Sequence, residues 1–313
     1  MKIAVLFPVT EAHRRVLAEA APGAEFFFGA PPEEELPALD AVLGNPPASM
    51  LPRLSGLRLL QLCSAGVGGA YLAENALPDG CALCNASGAY GPGIAEHMLG
   101  MALSLVKRLH QYRDSQRARE WADHGEVASI LGSRTLVVGL GGIGTEFGRR
   151  MAALGSSVSG VKRTPGQKPD WLTELGTLED LDRLLPDADF VFLSLPDTPA
   201  TRGLFDRERI GRMKKGAVLL NAGRGTAVDT EALCDAAESG ALRGACLDVT
   251  DPEPLPPGHR MWEIENILIT PHVSGGFHLP YTHDRIVEIC AGNLRRLAAG
   301  EPLCSLVNRK EGY

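Results

Sequence analysis

No stretch of this 313-residue chain approaches the roughly 18 consecutive apolar residues of a membrane-spanning helix, so no such span is expected. It also lacks a basic block, and its formal charge is −7, so neither nucleic acid nor an anionic membrane is expected as a main partner. The first residues, Met1 to Phe7, are apolar but lack a secretory layout and read as a first strand. Of seven cysteines only Cys81 and Cys84 lie close together. No second pair or histidine cluster completes a zinc site, so no metal is expected. Three positions apart in a strand, those two point to opposite faces. The thiols read as reduced, mostly buried groups of a cytoplasmic protein.

What is present is the composition of an ordinary globular protein, 44% hydrophobic, in a chain long enough for two domains. Strands are expected at 2–7, 25–28, 40–44, 57–62 and 82–84, with a helix at 10–20 capped by Thr10 and a loop at 31–37. Strands alternating with helical stretches argue for a parallel sheet. From Ile94 to Arg119 the apolar spacing is helical, which suggests one long helix joining two domains. Residues 135–272 then repeat βα units, with strands near 135–139, 157–161, 189–195, 217–221, 244–248 and 267–270. A last helix from about Tyr281 to Ala299 is placed to return to the first domain. The expected fold is α/β: two Rossmann-like or flavodoxin-like domains with parallel sheets and a cleft between them. The expected boundaries are 1–95 with 284–313 for one domain and 96–283 for the other.

The stretch Thr135-Leu-Val-Val-Gly139-Leu-Gly141-Gly142-Ile143-Gly144 runs from a buried strand into Gly-x-Gly-x-x-Gly, and Ile143, Phe147, Met151 and Leu154 continue it as a helix. Gly139 suits the tight turn, Gly141 the approach of a pyrophosphate, and Gly144 close packing of helix on strand. The helix N-terminus faces the phosphates with partial positive charge. In NAD sites an acidic residue about 20 positions further on accepts the ribose hydroxyls. Here no Asp or Glu follows the second strand before Asp170; Lys162, Arg163 and Thr164 stand there instead. Positive charge and donors suit a 2′-phosphate, so NADP(H) is preferred, with NAD(H) still possible.

Six successive strands of this half end at Gly139, Lys162, Pro196, Arg224, Asp248 and His272. In an open parallel sheet ligands bind beyond the carboxyl ends of strands, so these distant positions converge on one crevice. Arg224, between Gly223 and Gly225 and close to Ala222, suits a bidentate grip on a carboxylate and carbonyl. His272 with Glu253 forms a general acid/base pair, in which the carboxylate is expected to raise the imidazole above about 6.5. In the first half, the small residues Cys63-Ser64-Ala65-Gly66-Val67-Gly68 at a strand end can present N–H groups to an anion.

These segments, with Leu193-Ser-Leu-Pro196-Asp-Thr198, Leu220 to Gly225, Ala245 to Val249, Pro252-Glu-Pro254 and Ile269-Thr-Pro-His272, resemble the D-isomer-specific 2-hydroxyacid dehydrogenases over most of the chain. The resemblance implies that Arg224 binds substrate carboxylate and carbonyl, His272 donates the proton and Glu253 holds His272 protonated. Asp248 would bind the nicotinamide carboxamide, and the Ala65, Gly66, Val67, Gly68 loop the substrate carboxylate. It further implies a discontinuous substrate domain, a hinge-closing cleft, a homodimer and a small 2-oxo or 2-hydroxy acid as substrate. Ser274-Gly-Gly-Phe277-His278 departs from the usual small, turn-forming residues, and Phe277 and His278 are candidates to line the substrate pocket. The expected activity is reduction of a 2-oxo acid, glyoxylate or hydroxypyruvate among the candidates. The alternatives are a dinucleotide sensor resembling the corepressor branch of the family and, ranked lower, phosphite-type oxidation.

Overall fold

The computed structural model describes residues 1–164 and 166–309, with His278 described in its backbone only. Two compact units emerge, Met1–Tyr90 with Gly276–Tyr313, and Gly91–Gly275. The expected cuts at 95/96 and 283/284 fell inside two helices, Gly91–Val106 and Pro280–Ala299, each of which stays whole in one unit.

The first unit holds a parallel sheet of β1 (Lys2–Val5), β2 (Glu25–Phe28), β3 (Ala41–Leu43), β4 (Leu59–Gln61) and β5 (Ala82–Cys84), in the order β2-β1-β3-β4-β5. That is the flavodoxin-like order, whose reversal of winding falls between β1 and β3. Helix α1 (Glu11–Ala20) starts at Thr10, whose hydroxyl accepts from His13 N–H at 3.2 Å. It packs with the C-terminal helix α9 (Pro280–Ala299) on one face, through Leu17, Ile286, Cys290 and Leu294. Leu39, Leu51, Leu54, Leu57 and Val307 cover the other. Because both faces are covered, β3 and β4 are wholly buried and show no polar alternation. Cys81 joins the second cluster and Cys84 the first, the opposite facing that strand alternation requires. The expected loop at 31–37 contains a 3-10 helix, Glu33–Ala38, and a short helix α2 (Gly69–Leu72) follows the β4 loop.

The second unit's sheet has one more strand than its motifs suggest: β6 (Arg134–Val138), β7 (Ser157–Val161), β8 (Glu174–Gly176), β9 (Phe190–Leu193), β10 (Val218–Asn221), β11 (Gly244–Leu247) and β12 (Ile267–Ile269). All pairings are parallel, in the order β12-β11-β10-β9-β6-β7-β8. This is the dinucleotide-binding order with a strand added at one edge, and its switch point lies between β6 and β9. β8 escapes sequence reading because it is three half-buried residues long and exists through its pairing with β7.

The single helix expected over 94–119 is two, α3 (Gly91–Val106) and α4 (Leu109–Ala118). Leu105 and Leu109 keep helical spacing across the break, so periodicity cannot reveal it. The backbone breaks because Arg108 turns left-handed at φ 57° and the Val106 carbonyl is taken by Ala128 N–H at 3.0 Å. Both helices lie in the second unit. Helices α5 (Gly142–Ala153) and α8 (Thr230–Glu238) and the shorter α6 (Leu181–Leu184) and α7 (Arg207–Gly211) complete it. Phe147 of α5 stacks on Phe192 of β9, centroids 4.1 Å apart, which fixes the fingerprint helix on the sheet. Among the described residues no helix is long and apolar enough to cross a membrane.

Candidate active site

The glycine turn after β6 shows why its residues are what they are. Gly139 adopts φ 102°, and a Cβ there would lie 2.7 Å from the Ser194 carbonyl oxygen. A Cβ at Gly144 would lie 2.0 Å from the Gly139 carbonyl oxygen, so the helix can approach the strand only with glycine there. A Cβ at Gly141, by contrast, would meet nothing within 4 Å. Gly141 is also the N-cap of α5 and provides no side-chain cap, so the first-turn N–H groups of Gly142, Ile143 and Gly144 have no side-chain acceptor at the cap. Open space over uncapped donors at a positive helix end fits a pyrophosphate. Ser194 at the end of β9 donates to the Gly139 carbonyl at 2.7 Å and ties the two sides of the switch point together.

Lys162, Arg163 and Thr164 follow β7, next to the turn, where Gly139 N–H donates to Val161 at 3.0 Å. Arg163 and Thr164 are exposed and Lys162 is half-buried. The Pro196 carbonyl accepts from Thr201 Oγ1 at 2.6 Å, which shapes the loop beyond β9.

Arg224 leaves β10 in a braced turn. Buried Asn221 donates through Nδ2 to the Arg224 carbonyl at 2.9 Å and accepts from Gly223 N–H at 3.0 Å, while Ala222 N–H donates to Leu193 at 3.0 Å. A Cβ at Gly223 would sit 2.6 Å from the Leu195 backbone and one at Gly225 2.0 Å from Thr250, so neighbouring loops clamp both flanks. The half-buried guanidinium donates to the Gly223 carbonyl at 2.7 Å through Nη1.

His272 Nδ1 lies 2.6 Å from Glu253 Oε1. A carboxylate accepts, so Nδ1 carries a hydrogen, and Nε2 has no partner among the described residues. Both side chains are about half exposed, 48% and 41%. His272 has φ 53°, a left-handed conformation seldom adopted by a non-glycine residue and concentrated at functional sites.

That conformation is held from below by Asp248, which is 2% exposed. The Asp248 carbonyl accepts from His272 N–H at 2.9 Å. Its Oδ1 accepts from Thr270 Oγ1 at 2.6 Å and Val273 N–H at 3.0 Å, and its Oδ2 from Ser274 N–H at 3.2 Å and from the Ser274 hydroxyl. Since Thr270 gives its hydrogen to the carboxylate, His97 donates to Thr270 from Nε2 at 3.0 Å. A carboxylate offers about four acceptor positions, and these donors fill them. The expected carboxamide contact of Asp248 therefore has no acceptor left. Asn221, Thr270, Ser274 and His97 are not among the residues expected at the site; their only signal in the sequence is adjacency to Arg224 and His272 or, for His97, a place in α3.

The substrate-loop candidates belong to the first unit. Ala65, Gly66 and Val67 are half-buried and Gly68 exposed, and their N–H groups have no partner among the described residues. Phe277 stacks on Phe7 at 5.7 Å and lies 4.7 Å from the His283 ring, within the same unit. The side chain of His278 lies outside the described residues.

A dinucleotide-ordered sheet whose strand ends carry a glycine turn, a braced arginine and a histidine–carboxylate pair is the layout of a nicotinamide-dependent oxidoreductase. Comparison with known proteins agrees. The family described as D-isomer specific 2-hydroxyacid dehydrogenase, NAD binding domain, matches residues 99–274. A glyoxylate reductase of Thermofilum pendens is 30% identical over 270 residues, 84% of this chain and 78% of that protein. A D-isomer specific 2-hydroxyacid dehydrogenase of Xanthobacter autotrophicus, solved with NADPH and MES, is 29% identical, covers 100% of this chain and 99% of its own, and has a TM-score of 0.83. An NADPH-dependent glyoxylate/hydroxypyruvate reductase of Sinorhizobium meliloti, solved with NADP and sulfate, is 25% identical with the same coverage and a TM-score of 0.84. The D-3-phosphoglycerate dehydrogenases that also match are longer, and the chain spans 32 to 40% of their length. The chain belongs to the D-isomer specific 2-hydroxyacid dehydrogenase family. It is an NAD(P)-dependent oxidoreductase acting on the CH–OH group of 2-hydroxy acids.

Proposed function

We propose that the protein is a 2-oxo acid reductase, converting a small 2-oxo acid to the D-2-hydroxy acid with NADP(H) preferred over NAD(H). The observation that carries this reading is the His272–Glu253 pair, 2.6 Å apart with Nε2 unengaged among the described residues, on a left-handed backbone that Asp248 holds in place. When bound, the nicotinamide supplies the hydride. Arg224 draws electron density from the 2-oxo group, its backbone held by Asn221 and its guanidinium by the Gly223 carbonyl. His272 delivers a proton from Nε2 to the oxygen that becomes the hydroxyl, and Glu253 keeps the ring oriented through Nδ1. The amides of Ala65, Gly66 and Val67 take the substrate carboxylate. Asp248 acts on the 270–274 segment rather than on the dinucleotide.

The NADP(H) preference is supported by Lys162, Arg163 and Thr164 beside the glycine turn and by the NADPH and NADP found in the two solved relatives. A homodimer is proposed as well. Trp121, fully exposed at 106%, and Leu131 at 75% give the second unit apolar surface for a second copy. Sedimentation of wild type and Trp121→Glu checks this: a wild-type monomer rejects it. The free thiols suit a reducing compartment, so we place the protein in the cytoplasm.

Initial rates with NADPH and NADH against glyoxylate, hydroxypyruvate, pyruvate and phenylpyruvate test the reading. Faster turnover with NADPH supports both the reaction and the cofactor preference. NADH preference keeps the reaction and removes the part given to Lys162–Thr164. Tight dinucleotide binding with no turnover of any 2-oxo acid replaces the enzyme reading by that of a sensor.

A further inference from the structure

In the first unit the winding reverses between β1 and β3, and Asn45 stands just beyond the end of β3. Ligands gather at such switch points. Asn45 reaches to the chain leaving the neighbouring strand β4. Its Oδ1 accepts from Cys63 N–H at 3.0 Å and from the Cys63 thiol at 2.8 Å, and its Nδ2 donates to Ser64 Oγ at 2.9 Å. Ser64 Oγ passes the chain on, donating to the Gly66 carbonyl at 2.7 Å.

The other carbonyls of this loop are held by the segment after β5. Ala86 N–H donates to the Ser64 carbonyl at 2.9 Å, Asn85 Nδ2 to the Ala65 carbonyl at 2.9 Å, and the Tyr90 hydroxyl to the Cys63 carbonyl. Burial holds the Tyr90 phenol well above its ordinary range, so it remains a donor. Four successive carbonyls, from Cys63 to Gly66, thus have protein donors. In a trans peptide the carbonyl and the following N–H point opposite ways. The N–H groups of Ser64, Ala65, Gly66 and Val67 are therefore turned away from these partners, and none has an acceptor among the described residues. Tied acceptors and untied donors in one short loop form a concavity for an anion. Gly66 is the weak point, since a glycine peptide reorients at little steric cost unless its carbonyl is gripped.

We propose that Asn45 is a positioning residue for this loop: through Cys63 and Ser64 it fixes the outward amides of Ala65, Gly66 and Val67 for the carboxylate of a 2-oxo acid. This rests on the reading that the loop takes the substrate carboxylate. Removing Asn45 frees Ser64 Oγ to turn to water, releases the Gly66 carbonyl and lets the amides diverge, with no change at His272, Arg224 or the glycine turn.

The test is steady-state kinetics with glyoxylate and NADPH for wild type, Asn45→Ala, Asn45→Asp, Ser64→Ala and the Asn45→Ala/Ser64→Ala double variant. Calorimetry with oxamate, an unreactive carboxylate, on the NADPH-bound protein accompanies it. Asn45→Ala and Ser64→Ala should raise the glyoxylate KM and the oxamate Kd about tenfold, the scale of one hydrogen bond to an ionised group. The NADPH KM and melting temperature should hold, with kcat changing by no more than about threefold. The double variant should be no worse than either single one, because the two residues act in series. Asn45→Asp keeps the side-chain volume and the Cys63 contact but loses the donor to Ser64, so its KM should rise as well. An unchanged glyoxylate KM in Asn45→Ala, a wild-type value in Asn45→Asp, or a parallel loss of kcat, NADPH affinity and melting temperature overturns the proposal. If Asn45→Ala does not fold, Ser64→Ala decides alone. Wild-type protein that neither reduces glyoxylate nor binds oxamate overturns the carboxylate reading itself, an outcome distinct from an active wild type with an indifferent Asn45→Ala.

Discussion

Asp248→Asn separates two roles that an aspartate at this strand end could serve. In the structure its carboxylate receives four donors from Thr270, Val273 and Ser274, and its main chain receives His272 N–H. An amide keeps the shape but turns one oxygen into a donor. If the nitrogen takes the Oδ2 position, Ser274 N–H keeps only its longer contact to Oδ1, at 3.3 Å, and the Ser274 hydroxyl must turn. If it takes Oδ1 it meets Val273 N–H. Either way a partly buried backbone donor loses or lengthens its hydrogen bond, at a cost of about 1–3 kcal/mol. In a unit of this size that is a fall in melting temperature of about 2–10 °C. The loosened segment carries His272, whose left-handed conformation has little intrinsic preference to persist, so kcat for glyoxylate reduction should fall by about 10- to 100-fold. Differential scanning fluorimetry and steady-state kinetics read the two effects, and NADPH titration supplies the third number. Its Kd should stay within about threefold of wild type, since the Asp248 carboxylate has no acceptor position left for the dinucleotide. An unchanged melting temperature together with a tenfold weaker NADPH Kd would refute this account and restore the carboxamide contact.

Three further expectations are sharp enough to fail. His272→Ala should lower kcat by about 10²- to 10⁴-fold, the range for a positioned acid, while NADPH Kd by fluorescence titration is nearly unchanged; intact turnover removes His272 from proton transfer. Lys162→Ala/Arg163→Ala should raise the KM for NADPH about tenfold or more and leave that for NADH within about twofold, and equal effects on the two would end the phosphate reading. Burial raises the thiol pKa to about 11 at Cys81 and Cys234 and about 12 at Cys84. The unfolded chain ionises these thiols first, so the stabilisation they lend is whole below about pH 8.5 and is lost as pH climbs toward 11. Melting temperature should drop across that interval, and Cys234→Ala should flatten the drop; a profile unmoved by that variant sinks the assignment.

Which features were legible in the chain follows from the range over which each is encoded. The glycine turn is local: strand, Gly139, Gly141, Gly144 and helix are contiguous, with Gly144 answering to Gly139, Gly139 to the neighbouring strand end at Ser194, and Gly141 facing open space. The strand ends at Arg224, Asp248 and His272 were legible because buried parallel strands are unbroken apolar runs bounded by polar residues. The pairing of His272 with Glu253 was a reasonable expectation from residue type, since a loop stiffened by Pro252 and Pro254 follows the adjacent strand. The break at Arg108 was not legible, because the apolar spacing continues through it and the Val106 carbonyl is claimed by a segment about twenty residues on. Nor was β8, whose existence depends on the edge of β7.

The sequence by itself determined the two α/β sheets, the glycine turn and the identity of the candidate catalytic side chains, since these rest on short-range periodicity, on residue type and on steric demands that only glycine meets. Tertiary structure alone decided what those side chains are attached to. Asp248 spends its carboxylate on the His272 segment, Asn221 braces Arg224, and Asn45 grips a loop that begins 18 positions later. Hydrogen bonds of that kind are set by which strand ends lie side by side. Strand order, unlike strand pattern, is fixed by packing across the whole sheet.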